Sequence, residues 1–206
     1  NVKYEDHHEI ANEMIEWLGK MKPYCTYMSD IITTVKGQAV QFNTSAAISF
    51  TLDELIKRVD LLMRHELKRF HCIMKIDSQV NMNTEVRGDV NSLVQIFDNL
   101  IVNAIHAYGG KSGDIDLLIK KDDNNIVFML RDYGKGIKPE IKDRLFKEMV
   151  TTKGKNGTGL GLYMSYANIK GHFGGNMWFE SAEGAGTTFY ITIPLVKGLD
   201  SQEVTG

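Results

Sequence analysis

The sequence predicts an α+β fold, a two-layer α/β sandwich with a mixed sheet, preceded by one long N-terminal helix. Three observations predict it. Beyond residue 50, two long segments carry apolar residues at spacings of three and four, the period of a helix that faces a core, and a third, 159–172, reads as a helix closed by glycines. Around them lie five or six short apolar and β-branched runs bounded by glycines or polar turns, which read as strands. Helices and strands do not alternate strictly, and that points away from a doubly wound parallel sheet.

Residues 4–42 carry a single apolar stripe through Ile10, Met14, Trp17, Met21, Met28, Ile32 and Val35, which Pro23 is expected to kink. So long a stripe cannot bury itself. It needs a partner helix, from a second copy of the chain or from a helix outside it. Residues 43–49 are small and polar and are expected to link this helix to a second unit. Thr51-Leu-Asp-Glu54 is a capping-box pattern. It opens a helix carrying Leu55, Val59, Leu62, Met63 and Leu67. Residues 70–76 read as a strand, and 79–83 as a second. A helix is expected from Asp89 to about residue 108, with Leu93, Ile96, Phe97, Leu100, Ile101 and Ala104 facing inward and Gly109-Gly110 ending it. Residues 114–120 and 125–131 read as strands around the polar turn Asp122-Asp-Asn-Asn125. Pro139 suits the first turn of a short helix. Residues 149–158 read as a flexible loop and 159–172 as a helix closed by Gly174-Gly175. Residues 176–181 and 187–194 read as the last strands, turning through Gly184-Ala-Gly186, and the polar end of the chain is expected to fray.

The 206 residues, 43% hydrophobic and 24% charged, suit one ordinary domain plus an appendage, or two small domains. A formal charge of −2 makes no case for nucleic acid. Cys25 and Cys72 lie far apart without metal-ligand spacing, so reduced thiols in a cytoplasmic protein are expected. No apolar run approaches the roughly 20 residues of a membrane span, so no membrane contact is expected within the chain. The chain begins at Asn, and a fragment of a longer, membrane-anchored protein is an open expectation.

Three stretches carry chemistry. Asn99 and Asn103 are one helical turn apart on one face, with His106 three residues further on. Carboxamides in an otherwise apolar helix need partners, because burying them bare costs about 1–3 kcal/mol each. They either cap or tie the tertiary structure, or present oxygens to Mg²⁺ and a polyphosphate. Asp132-Tyr-Gly134-Lys-Gly136-Ile137 follows a strand. It is either a plain turn or an acceptor for an amino group such as that of adenine, beside glycines that admit a ligand. Gly157-Thr158-Gly159-Leu160-Gly161-Leu162 sits at a helix start, where free N–H groups and the helix dipole favour an anion. It lacks the Gly-Lys-Ser/Thr ending of a phosphate-binding P-loop and the glycine spacing of a dinucleotide fingerprint. Lys153 and Lys155 precede it, either solvated or on a lid over phosphates.

In order and spacing these stretches resemble the ATP-binding catalytic domain of sensor histidine kinases. That family shares its superfamily with type II topoisomerases, mismatch-repair ATPases and an ATP-driven chaperone. Asn99-Leu-Ile-Val-Asn103-Ala resembles the N box and Asp132-Tyr-Gly-Lys-Gly136-Ile the G1 box. Leu145-Phe-Lys-Glu-Met-Val-Thr-Thr-Lys153 resembles the F box, Gly157-Thr-Gly-Leu-Gly-Leu162 the G2 box, and Gly186-Thr-Thr188-Phe the final glycine-threonine element. The resemblance implies an ATP-binding domain over residues 45–197, a partial dimerisation helix over 1–44 and a tail over 198–206. It implies Mg²⁺ on Asn103 with Asn99 in support, and the adenine amino group on Asp132 with help from Thr188. The nucleotide would also touch His106, Gly134, Gly136, Ile137, Lys153 and residues 157–162. It further implies a homodimer through the N-terminal helix and a response regulator as partner.

Hydrolytic members of the superfamily carry Glu where this chain has Asn99, which cannot act as a general base. That favours phosphoryl transfer to a histidine over hydrolysis. The alternatives are an ATP-hydrolysing or ATP-gated member, and a non-catalytic dimerising scaffold. Many kinases of this class carry an aromatic residue at the position of Ala107; here Tyr108 stands one place later. His8-Glu9 resembles a phosphoacceptor site. However, residues 4–42 read better as the second helix of a dimerisation hairpin, with Tyr27-Met-Ser-Asp-Ile-Ile-Thr-Thr-Val-Lys36 near its end and the acceptor outside the chain.

Overall fold

Two sheets and a helical layer make up the domain. The computed structural model describes residues 49–146 and 160–195, together with Met14, Trp17 and Met21. In chain order the elements are β1 (Ser49–Thr51), α1 (Leu52–Arg69), β2 (Cys72–Ser78), β3 (Glu85–Arg87), α2 (Val90–Ala107), β4 (Gly113–Asp122) and β5 (Asn125–Asp132). They continue with α3 (Pro139–Lys142), α4 (Leu160–His172), β6 (Asn176–Ala182) and β7 (Gly186–Pro194). The main sheet has the order β2-β4-β5-β7-β6. β2 runs parallel to β4 and every other neighbouring pair is antiparallel, so the sheet is mixed as expected.

One face of this sheet carries the core. Ile115, Leu117 and Ile119 of β4, Ile126, Phe128 and Leu130 of β5, and Phe189, Ile191 and Ile193 of β7 alternate inward and are buried. The helices supply the second layer. α2 packs against β5 in the middle, flanked by α1 and α4. Its Ile and Val residues are indifferent helix formers, short of Ala by up to about 0.7 kcal/mol each. Burial of Leu93, Ile96, Phe97, Leu100, Ile101 and Ile105 contributes about 1.5–3 kcal/mol per side chain and outweighs that deficit. The Asp89 carboxylate accepts from the N–H groups of Asn91 and Ser92 and starts the helix. Gly109 and Gly110, at φ +61° and +87°, carry the chain out of it.

Several expectations shift. The strand read at 70–76 is Cys72–Ser78, because Phe70 caps α1 and His71 turns at φ +53°. Residues 79–83 are not a strand. The short strand is β3, paired with β1 over three residues, which is too few to leave a period-2 signature. Only half of the capping box forms: Thr51 Oγ1 accepts from Glu54 N–H at 3.2 Å, while the Glu54 carboxylate pairs with Arg58. Leu62 flanks the stripe and is 54% exposed, whereas Leu52 is fully buried. Met14, Trp17 and Met21 are helical and exposed. The rest of the N-terminal stripe and the 149–158 loop lie outside the described residues.

Candidate functional site

The site forms where the end of β5, the second half of α2 and the start of α4 converge. Asp132 ends β5, opposite Ile115 on β4 and Thr187 on β7, and is only 3% exposed. Burial pushes its carboxyl pKa above the ordinary value, and N–H donors from Gly134 and Thr187 pull part of the way back. The Gly134 N–H reaches Oδ1 at 2.9 Å. A buried carboxylate with two backbone donors and, among the described residues, no cation acting on it is set up to accept from a neutral ligand donor.

The segment after Asp132 is held against α2 and β6. Lys135 N–H donates to the Ala107 carbonyl at 3.0 Å. A Cβ on Gly134 would stand 2.6 Å from that of Ala107, so only glycine fits against the helix. Gly136 takes φ +68°, and a Cβ there would overlap the Ala182 carbonyl. Ile137 N–H donates to Ser181 Oγ at 2.9 Å, and Ser181 Oγ bonds the Gly186 carbonyl and approaches Thr187 Oγ1 at 3.0 Å. Lys142 Nζ caps the Ser181 carbonyl.

On α2, Asn99 faces α4. Its Nδ2 approaches Ser165 Oγ at 3.4 Å, and Ser165 Oγ donates to the Gly161 carbonyl at 2.8 Å. A Cβ on Gly161 would come to 3.2 Å from Asn99 Oδ1, so glycine permits the close approach. Asn103 lies one turn on, half-buried, between the turn that meets α4 and the turn that meets Gly134. His106 is exposed, its ring edge-on to Phe70 at 6.1 Å. Leu160 begins α4, and Leu162 packs against the core. Lys153, Gly157, Thr158 and Gly159 lie outside the described residues.

The structure therefore brings Asn99 and Gly161 together at the start of α4, and Asp132, Gly134, Gly136 and Ile137 together against α2 and β6, with Asn103 on the helical turn between the two groups and Leu162 packed against the core. It does not bring Thr188 into the Asp132 group. Thr188 pairs with Arg131 and Glu180 on the opposite face of the sheet, while Thr187 shares the face of Asp132. The threonine that stands beside Asp132 is thus Thr187, correcting the expectation. Its parity with inward Phe189, Ile191 and Ile193 was the available signal. Ser181 and Ser165 were also missed, and nothing in their sequence neighbourhood marks them.

Residues 88–197, just over half of the chain, match the family described as histidine kinase-, DNA gyrase B-, and HSP90-like ATPase. The chain belongs to this family. Among relatives, phytochrome-like protein Cph1 of Synechocystis sp. is 31% identical over 174 residues, 82% of this chain and 22% of that protein. Sporulation kinase C of Bacillus subtilis is 30% identical over 168 residues, 82% of this chain and 37% of that protein. The chain thus spans well under half the length of these curated relatives. The nucleotide-free catalytic domain of histidine kinase ThkA has a TM-score of 0.64 at 29% identity, covering 73% of this chain and 96% of that one. ThkA in complex with response regulator protein TrrA shares the fold, with a TM-score of 0.61 at 24% identity over 84% of this chain and 49% of that one. The described unit is a histidine-kinase-type, ATP-binding catalytic domain with the expected α+β sandwich. No helix among the described residues is long and apolar enough to cross a membrane.

Proposed function

We propose that this chain is the catalytic part of a two-component sensor histidine kinase. It binds Mg-ATP and passes the γ-phosphoryl group to a histidine outside the chain. In this reading residues 45–197 are the ATP-binding domain and residues 1–44 part of a dimerisation helix, with 198–206 a tail. The imidazole nitrogen of the acceptor attacks the γ-phosphorus, and ADP leaves with the bridging oxygen.

The observation that carries the reading is Asn99. At the position where a hydrolytic relative needs a carboxylate to activate water, this chain has a carboxamide bonded towards Ser165. The adjacent carboxylate, Asp98, lies in the field of Glu66 on α1, and burial raises its pKa. The chain's residues would then work by positioning and charge stabilisation, as phosphoryl transfer requires. Asp132 accepts from the adenine amino group, and the Thr187 hydroxyl, not that of Thr188, lies next to it. Gly134 and Gly136 let the backbone beside Asp132 lie against α2 and β6, with Ile137 next along it, while His106 stands against Phe70 and takes no part in holding the base. Gly157, Thr158, Gly159, Leu160, Gly161 and Leu162 would line the phosphates, with Lys153 at the lid.

The donor chemistry fits Mg²⁺. Among the described residues no cluster of three His, Cys, Asp or Glu could hold an ion by itself. A hard ion carried on phosphates and waters needs only a protein oxygen such as that of Asn103, with Asn99 in support. When bound, the ion would neutralise charge on the β- and γ-phosphates. Exposed Met14, Trp17 and Met21, spaced by three and four, support dimerisation through the N-terminal helix. The ThkA–TrrA complex supports a response regulator as the downstream partner. The reading carries a cytoplasmic location for this part of the protein.

Incubation with Mg²⁺ and γ-labelled ATP tests the proposal. Tight ATP binding is expected, with acid-labile, base-stable label appearing only when a chain carrying the acceptor histidine is added. Steady phosphate release without protein labelling would overturn it, and label on His8 would move the acceptor into this chain.

A further inference from the structure

Tyr108, the last residue of the α2 turn, does more than end a helix. The β4–β5 ladder closes at Ile115 opposite Asp132. Its next rung would join the Tyr133 N–H to the Asp114 carbonyl. The Tyr108 hydroxyl stands in that rung instead. It donates to the Asp114 carbonyl and accepts from Tyr133 N–H at 2.9 Å. This polarity is forced, because the amide can only donate and the carbonyl can only accept. Burial raises the Tyr108 pKa, so the hydroxyl keeps the proton it donates.

The inserted link lies between β4 and the end of β5, just where the chain leaves the sheet for α2. There Lys135 N–H meets the Ala107 carbonyl. The Tyr108 ring is itself seated: a Cβ on Gly113 would overlap it, so the glycine at the start of β4 makes room for the ring. From the opposite face Tyr133 is held by its own hydroxyl, which donates to Asp116 Oδ2 at 2.5 Å, and by Arg131, 4.7 Å over its ring. The peptide that follows Asp132 is therefore held from α2, β4 and the outer face of the sheet.

We propose that Tyr108 is a positioning residue for base selection, its inserted hydroxyl aiming the Asp132 carboxylate at the 6-amino group of adenine. This rests on the reading of Asp132 given above. The Tyr108 hydroxyl acts on the backbone of Asp114 and Tyr133. Its effect should appear only where the 6-amino group is present.

The test uses the whole chain and two ligands, ATP and purine riboside triphosphate, which has hydrogen in place of the 6-amino group. Calorimetry measures both affinities for the wild type and for Tyr108→Phe, which keeps the ring over Gly113 and removes only the hydroxyl. The wild type should prefer ATP by about tenfold or more, the scale of one hydrogen bond to a charged acceptor. Tyr108→Phe should cut that preference to about threefold or less while purine riboside triphosphate binds within about twofold of wild type. An unchanged preference in the variant, or equal losses for both ligands, would overturn the role and leave Tyr108 as packing. A wild type with no preference would overturn the Asp132 reading, and this proposal with it.

Discussion

The two ends of the cleft are held differently. At the Asp132 end, the segment 133–137 is held by Tyr108, Ala107 and Ser181 at 2.9–3.0 Å, and Lys135 in turn accepts from Gly184 N–H at 2.8 Å. At the α4 end, the described contact across to α2 is Asn99 to Ser165 at 3.4 Å, the long limit of a hydrogen bond, beside the close approach of Gly161. The segment beside Asp132 is thus held through its backbone, whereas the described hydrogen bond between α4 and α2 is a side-chain one. On the function proposed above, a base site held in this way loses little order when ligand binds.

Substitutions can break that contrast. The largest effect is expected from Asn103→Ala. Phosphoryl transfer to an acceptor-bearing chain should fall by about 100-fold or more, the scale of one lost charge-stabilising contact in the transition state. A labelling time course reads this out, and a variant with unimpaired transfer would sink the role given to Asn103.

Asp132→Asn comes next and separates binding from stability. The carboxyl pKa is raised in the fold by burial, so its ionised form opposes folding. The stability associated with that raised pKa is fully present below the unfolded value, about 3.9, and is lost as pH rises through the folded value. Near pH 7 the neutral Asn should therefore leave the melting temperature unchanged or higher. ATP affinity should fall by about 10- to 100-fold, since hydrogen bonds to charged groups are worth about 1.5–3 kcal/mol. The gap in melting temperature between variant and wild type should close as the pH is lowered. Thermal melts across pH, with calorimetry, check both arms.

Ser181→Ala should cost about 1–3 kcal/mol in urea unfolding, because it strands the Ile137 N–H. It should also weaken ATP binding, because residues 133–137 lose their tie to β6. Thr187→Val against Thr188→Val sharpens the assignment within β7. The first should lower ATP affinity several-fold, by loss of one hydrogen bond of about 1 kcal/mol, and the second should leave it within about twofold. Equal effects would mean that strand parity is a poor guide here.

The smallest effect is expected at the α4 end. Ser165→Ala removes a long bond from Asn99 and a local one to the Gly161 carbonyl. Unfolding free energy should change by less than about 1 kcal/mol. Any larger effect should fall on phosphoryl transfer rather than on adenine selectivity.

Most of the fold was legible in the chain itself. The helical stripes of α1 and α2, the β4–β5 hairpin, the β6–β7 turn and the glycines that close α4 follow from apolar period and turn chemistry, which are local properties. Elements too short for a period, β1 and β3, were not legible. Nor was the two-residue displacement of β2, which turns on His71 adopting positive φ. The family boxes gave the cleft its outline, since Asn99, Asn103, Asp132 and the glycines carry their signals in spacing.

The linear chain could not say who meets whom. That Asn99 reaches Ser165, that Ser181 collects Ile137, Gly186 and Thr187, and that the Tyr108 hydroxyl enters a rung of the sheet depend on residues 5 to 66 positions apart. Local composition is blind to such pairings, because they are set by how the helical layer lies on the sheet. By itself the sequence determined the elements, their order and the chemical character of the cleft. The tertiary structure decided which threonine faces inward, which amide is committed to holding α4, and which hydroxyl holds the backbone beside Asp132.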